Sequence, residues 1–276
     1  MSFDIFDENH LSVLPQTAGK LLELANNEFA TADELAAVIA QDPSVAARIL
    51  GLAGSALYAL REPPSSLTDA IVRVLGVDTT RGVTLGIVLN NAFDFKQCVS
   101  FDSHRFWQHS LYIGEINQRL AAASGNLSEA ERCLAYVSGL ASRIGLLAMA
   151  SLEPERLSSL LEDANHESLT ARLEQGFGTN HKKVAVQVAE RWDLPDPIRT
   201  AYIHLSKAAT SPADEFSVLT QLAVVLAESL LSGEDEPPQS VSATAREMGL
   251  EEALLSFYTR SEAMQEKIDH LCHAVA

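Results

Sequence analysis

Cysteine is scarce: Cys98, Cys133 and Cys272 are the only three in 276 residues. Three scattered cysteines predict reduced thiols in a cytosolic protein and argue against a disulfide framework. Positive charge is short as well. Lys plus Arg number 20 against 37 Asp plus Glu, a formal net charge of −17. Neutralising a phosphate backbone takes surplus Lys and Arg, so a general nucleic-acid binder is excluded. A surface that docks on anionic lipid is excluded with it. No local basic patch stands out. Uninterrupted apolar runs are missing too. The most apolar stretch, Cys133 to Ala150, carries Arg143 in its middle. A membrane span of about 20 residues does not admit that charge, so a core helix is predicted there. The first ten residues, MSFDIFDENH, are acidic and hold no long apolar run, which predicts no secretory signal. There is no G-x-x-x-x-G-K-S/T phosphate loop, no dinucleotide-binding glycine pattern after a strand and no G-x-S-x-G nucleophile elbow. Cys98 and Cys133 stand in no recognisable catalytic context.

What is there is helix, almost throughout. Hydrophobic residues make up 47% and charged residues 21%, ordinary for a globular chain. Thr31 with Glu34, and Ser128 with Glu131, form capping boxes. Asp42-Pro43 is an N-cap followed by proline at the first helical position. In the helix predicted after it, Val45, Ile49, Leu52 and Ala56 share one face. Ser66 and Asp69 cap DAIVRVLG, with Gly76 as its stop. Asn180 caps HKKVAVQVAERW, which Pro195 must end. Pro212 begins ADEFSVLTQLAVVLAESLL. The last long helix is EEALLSFYTRSEAMQEKIDHLCHAV, residues 251–275. Strand signals are rare and no repeat period appears, so the predicted fold class is all-α. Residues 93–104 break the helical pattern and divide an N-terminal helical lobe, 1–95, from a second helical lobe, 96–276. Residues 232–240, SGEDEPPQS, are predicted to be a solvated loop. The small residues Gly51, Ala53, Gly54, Ser55 and Ala56 predict close helix packing or a partner groove.

Several short motifs fall in a consistent order. They are Leu14-Pro15, Asp42-Pro43, Arg48-Ile49-Leu50, Ala53-Gly54-Ser55-Ala56, Ser65-Ser66, Ala70-Ile71 and Leu75-Gly76. Then come Phe106-Trp107-Gln108-His109-Ser110, Gly139-Leu140, Ile144-Gly145, Phe177-Gly178-Thr179-Asn180-His181 and Arg191-Trp192-Asp193-Leu194-Pro195. Over about residues 10–230 the chain resembles the HDOD family. These are bacterial signalling domains whose name marks them as output domains related to the HD phosphohydrolases. The resemblance implies a multi-helix bundle and a cytoplasmic regulator working through protein contacts. No cofactor is expected for the chain, because ligand residues of the related hydrolases' metal site are missing. Its relatives are often fused to receiver or cyclic-dinucleotide domains; this chain shows neither, which predicts a signalling partner met in trans.

The related hydrolases hold one or two divalent metals with imidazoles and carboxylates. The metal makes a nucleophile of bound water and neutralises phosphate charge. By resemblance His109 stands at the family's early His and His181 at a later one. The central doublet is lost. Where the family has G-L-L-H-D-I-G this chain reads Gly139-Leu140-Ala141-Ser142-Arg143-Ile144-Gly145. Ser142 replaces the His and Arg143 the Asp. A guanidinium cannot ligate a cation and stays charged. About 4 Å from a dication it would be repelled by several kcal/mol. The tandem His aligns with Leu205-Ser206, with His204 one residue early, and the late Asp with Val224. No catalytic or metal-ligating set is therefore assigned.

His109, Ser142, Arg143, His181, Lys182 and His204 remain as a vestigial pocket. Arg143 has two readings. Either it pairs with a carboxylate such as Glu115 or Asp163, or with His109, His181 and Lys182 it holds a phosphate without cleaving it. The function that follows is a non-catalytic signalling module. Its alternatives are a metal-dependent phosphohydrolase acting on a nucleotide or cyclic dinucleotide, and a pseudoenzyme sensing a phosphorylated ligand. His270, Cys272 and His273 do not make a zinc site and are predicted to lie on a solvated, frayed helix end. Trp107 and Trp192 are predicted to be core residues.

Overall fold

The computed structural model describes residues 13–27, 29–162, 168–207 and 213–276. Asp163 and Pro212 lie outside them. Among the described residues there is no strand, and the fold is all-α. The first helices are α1 (Gln16–Ala25), α2 (Ala32–Ile39), α3 (Pro43–Ala53), α4 (Leu67–Ala70) and α5 (Val77–Ala92). There follow α6 (Ser103–Ala123), α7 (Glu129–Ala141), α8 (Ile144–Leu152), α9 (Pro154–Glu162), α10 (Leu169–Phe177) and α11 (His181–Arg191). The rest are α12 (Asp196–Ser206), α13 (Glu215–Leu231), α14 (Gln239–Glu247), α15 (Glu251–Thr259) and α16 (Ser261–Val275). The antiparallel pair α6 and α7 forms the centre. Helix α13 packs on α6, and α12 lies between α13 and α11. Helix α8 lies along α11. Helix α16 packs on α3, α5 and α6.

The caps form as the sequence predicts. Thr31 and Glu34 close a reciprocal box at α2, and Ser128 and Glu131 do so at α7. Asp42 accepts from the Ser44 and Val45 N–H groups, and Asn180 from those of Lys182 and Lys183. Ser66 accepts from the Asp69 N–H at 3.0 Å. Gly76 ends a π-helical turn over Ile71–Leu75 at φ +80°, a conformation glycine adopts without strain. Trp107 and Trp192 are buried, and the Trp107 indole donates to Asn90 Oδ1 at 2.8 Å. The cysteines are free thiols, with Cys98 and Cys272 buried.

Four expectations are corrected. Helix α3 stops at Gly54, so Val45, Ile49 and Leu52 are buried while Ala56 falls beyond the helix and is exposed. Of that small-residue stretch only Ala53 is core; a Cβ on Gly51 would touch nothing. The close approaches are made by Gly139 and Gly145 instead. The final helix breaks at Arg260 into α15 and α16. The end of α16 is docked, not frayed. His270 Nε2 lies 2.6 Å from Ser55 Oγ, Cys272 is fully buried, and Arg48 donates to the Ala274 and Val275 carbonyls.

The apolar stretch around Arg143 is core, as predicted. Residues Glu129–Leu152 are long and apolar enough to cross a membrane by composition, and 89% of the apolar window is buried in this fold. The helix does not run through. Ser142 Oγ donates to the Gly139 carbonyl at 2.7 Å, a side-chain bond that competes with the helical ladder. Arg143, at φ −99° and ψ 8°, then serves as N-cap of α8.

The Glu115 carboxylate is buried on α6 and takes bonds from Arg119 (2.7 Å) and from Lys267 of α16 (2.9 Å). Burial pushes its pKa up, but Lys267 and Arg119 outweigh burial and hold it below the ordinary value. Lys267→Met leaves that carboxylate one partner and is expected to cost about 1–2 kcal/mol. A urea melt reads the loss; an unchanged midpoint would mean that water screens the pair.

Candidate functional site

Two glycine contacts place the site. A Cβ on Gly139 of α7 would come within 2.6 Å of the Ile113 carbonyl oxygen and 2.9 Å of Gly114 on α6. A Cβ on Gly145 of α8 would overlap the His181 carbonyl oxygen and approach the Ala185 nitrogen to 2.5 Å. Only bare backbones let α7 settle on α6 and α8 on α11 this closely. The turn between α7 and α8 therefore lies where α6 presents His109 and α11 begins with His181. Arg143 stands at that turn.

A cleft of about 510 Å³ opens there, lined by His109, Arg143, His181 and Lys182 among others. Arg143 Nη1 lies 3.3 Å from His109 Nδ1. A guanidinium only donates, so His109 Nδ1 accepts and its ring is neutral. Burial, then Arg143 and Arg105, push the His109 pKa down to about 4. Burial, then Arg143 and Lys182, push that of His181 down to about 3. Burial also lowers the Arg143 pKa, against the pull of Glu228 and with the push of Arg105.

The sequence named six residues, and the structure brings four of them together. Ser142 is turned into the end of α7 and does not line the cleft. His204 Nε2 is bound to Gln221 Oε1 at 2.6 Å, away from the cleft. Of the two carboxylates offered for Arg143, Glu115 is taken by Arg119 and Lys267, and Asp163 lies outside the described residues. Arg105, Arg172, Asp102 and Glu228 line the cleft and were missed. Two of them were within reach of helical spacing. Arg105 precedes His109 by four residues, and Glu228 follows Val224 by four, each on its partner's face.

Among the described residues, no three His, Cys, Asp or Glu side chains gather as an ion would need. The cleft offers two imidazoles that face a guanidinium. Its carboxylates are Asp102, which caps α6 through the Arg105 N–H, and Glu228, one turn past Val224. This donor set does not fit a divalent metal.

Both site histidines are neutral in the fold, whereas an unfolded chain protonates its histidines below about pH 6.5. The unfolded state then binds more protons, so stability is full above that pH and falls as pH drops toward the two lowered values. The loss from His181 alone is expected to be about 2 kcal/mol between about pH 7 and pH 5. Urea midpoints across that window measure it. His181→Gln flattens the slope; a flat wild-type profile would contradict the burial of a neutral ring.

Comparison with known proteins follows the same lines. The sequence model of the HDOD domain family matches residues 11–207. An HDOD domain protein of unknown function from Geobacter sulfurreducens has the same fold, with a TM-score of 0.75, 21% identity, and 97% of this chain and 95% of that one covered. A Marinobacter aquaeolei protein named for signal transduction superposes with a TM-score of 0.78 at 23% identity over 100% of this chain and 62% of its own. A Shewanella amazonensis protein named as a phosphohydrolase gives 0.72 at 20% identity over 99% and 97%. An uncharacterized protein of Treponema pallidum is 24% identical over 190 residues, 67% of this chain and 36% of that protein. The chain thus spans about a third of that relative's length.

Proposed function

Given that the chain belongs to the HDOD family, we propose that it is a non-catalytic, cytoplasmic regulatory module that works through a protein partner. One observation carries this reading. The Arg143 guanidinium is seated against His109, where the resemblance puts the metal-binding Asp of the related hydrolases. A permanent cation there repels the ion that hydrolysis needs. Three further changes agree with it: Ser142 faces Gly139, His204 is held by Gln221, and the apolar Val224 stands at the late Asp. The fold shared with a protein named as a phosphohydrolase supports an origin and not an activity, because chemistry resides in the site. The strongly acidic chain suits a partner with a basic face, whose association would slow as salt rises.

The test is turnover. The full chain is incubated with Mn²⁺, Fe²⁺, Ni²⁺ or Mg²⁺ and with a nitrophenyl phosphate diester, a nucleotide or a cyclic dinucleotide. Hydrolysis no faster than in His109→Ala is expected. Metal-dependent hydrolysis that His109→Ala abolishes would overturn the reading.

A further inference from the structure

In a chain with a net charge of −17, four cations (Arg105, Arg143, Arg172 and Lys182) line one cleft against two carboxylates, Asp102 and Glu228. Among the described residues Arg105, Arg143 and Lys182 make no ion pair. Such charges repel one another, and that cost persists only where something else offsets it. Buried polar atoms are unsatisfied as well. Among the described residues Arg143 Nε and His181 Nδ1 are both buried and have no hydrogen-bond partner, and His181 is only 8% exposed. Buried polar groups are nearly always satisfied, so each orphan asks for a partner, and Arg143 Nε asks for an acceptor. Beside the cations the wall is apolar, with Phe101, Phe106 and Leu146. The Phe101 and Phe106 rings pack 5.5 Å apart.

We infer that this cleft binds a phosphomonoester dianion, with the phosphoryl oxygens on Arg143, Lys182 and Arg105 and the ester's organic part against Phe101 and Phe106. Among the described residues the three cations Arg105, Arg143 and Lys182, none of them ion-paired, face the cleft and suit an anion. Phosphoryl oxygens accept from a planar guanidinium in two places, which a halide cannot do. The neutral His181 ring lines the same cleft. A volume of about 510 Å³ admits a small organic phosphate, within the range of about 300–1,000 Å³ usual for such sites. Binding alone is proposed, with no bond made or broken. The inference rests on the reading of Arg143 as the residue that closed the metal site, and it names what the site took up instead.

Calorimetric titration of the full chain tests it, with inorganic phosphate and with adenosine 5′-monophosphate as probes. Chelator is present and ionic strength is matched with sodium chloride. Both probes are expected to bind one per chain and to compete, while adenosine does not bind. Arg143→Gln and Lys182→Gln each weaken binding by roughly ten- to hundredfold. The His181 ring resonances shift along the titration. Lys182 is half-buried on the rim, so its variant keeps the test open if Arg143→Gln does not fold. Tighter binding of the nucleotide than of phosphate assigns the site to an organic phosphate; equal affinity assigns it to free phosphate. No saturable binding of either probe, or binding that both variants leave intact, overturns the site and leaves the non-catalytic reading standing. Binding seen only without chelator reports a metal-bridged ligand and overturns both.

Discussion

Gly145→Ala is expected to lower the unfolding free energy by about 3 kcal/mol or more, one of the largest single-methyl effects available in this fold. The added carbon meets the His181 carbonyl and the Ala185 nitrogen. Both are backbone atoms of α11, and neither can rotate away. Relief requires α8 and α11 to separate, which carries His181 off Arg143 and opens the cleft. The variant therefore loses stability and loses the depressed His181 pKa together. Gly51→Ala is the control. It sits in α3 with nothing near its Cβ, so it is expected to be neutral or to stabilise by up to about 1 kcal/mol. Paired urea melts compare the two. Equal stabilities would mean that the α8–α11 contact is not as close as the backbone positions require.

Arg143→Met is expected to stabilise the protein by about 1–2 kcal/mol, against the usual sign of a buried substitution. Among the described residues the buried guanidinium has no ion pair, and burial lowers its pKa. Among the described residues its hydrogen bond is the 3.3 Å contact to His109. Methionine fills similar space and needs no partner. Removing the cation also lets the His109 and His181 pKa values rise, so acid destabilisation becomes shallower. Gained stability with lost phosphate affinity is the mark of a residue kept for binding at a cost to the fold. A destabilised Arg143→Met would mean that the cation is paired and structural.

The parts of the fold written in local chemistry were legible in the sequence. Thr31 with Glu34, Asp42 with Pro43, Ser128 with Glu131, and Asn180 each specify a helix start with side-chain atoms a few residues away. The bends at Arg143 and Arg260 were not legible. Hydrophobic periodicity runs through both, and Ser142 bends the chain by bonding Gly139 only once the turn exists. The roles of Gly139 and Gly145 were equally hidden, because what forbids a Cβ there is backbone distant in sequence. For the site, resemblance supplied His109, Arg143 and His181. It misjudged Ser142 and His204, whose side chains find nearer partners. Arg105 and Arg172 escaped because they come from places separate from Arg143 and Lys182 in an acidic chain. Charge counted along the sequence averages away what folding gathers.

Metal content tests most directly whether Arg143 has closed the metal site. The full chain is purified without chelator or affinity tag, loaded in turn with Mn²⁺, Fe²⁺, Ni²⁺, Zn²⁺ and Co²⁺, desalted and assayed by elemental analysis. With a guanidinium against His109, a tight site of micromolar affinity or better is absent, and less than about a tenth of an equivalent per chain is expected to survive desalting. About one equivalent or more, lost in His109→Ala, would show that the histidines still hold an ion beside Arg143 and would contradict the non-catalytic reading.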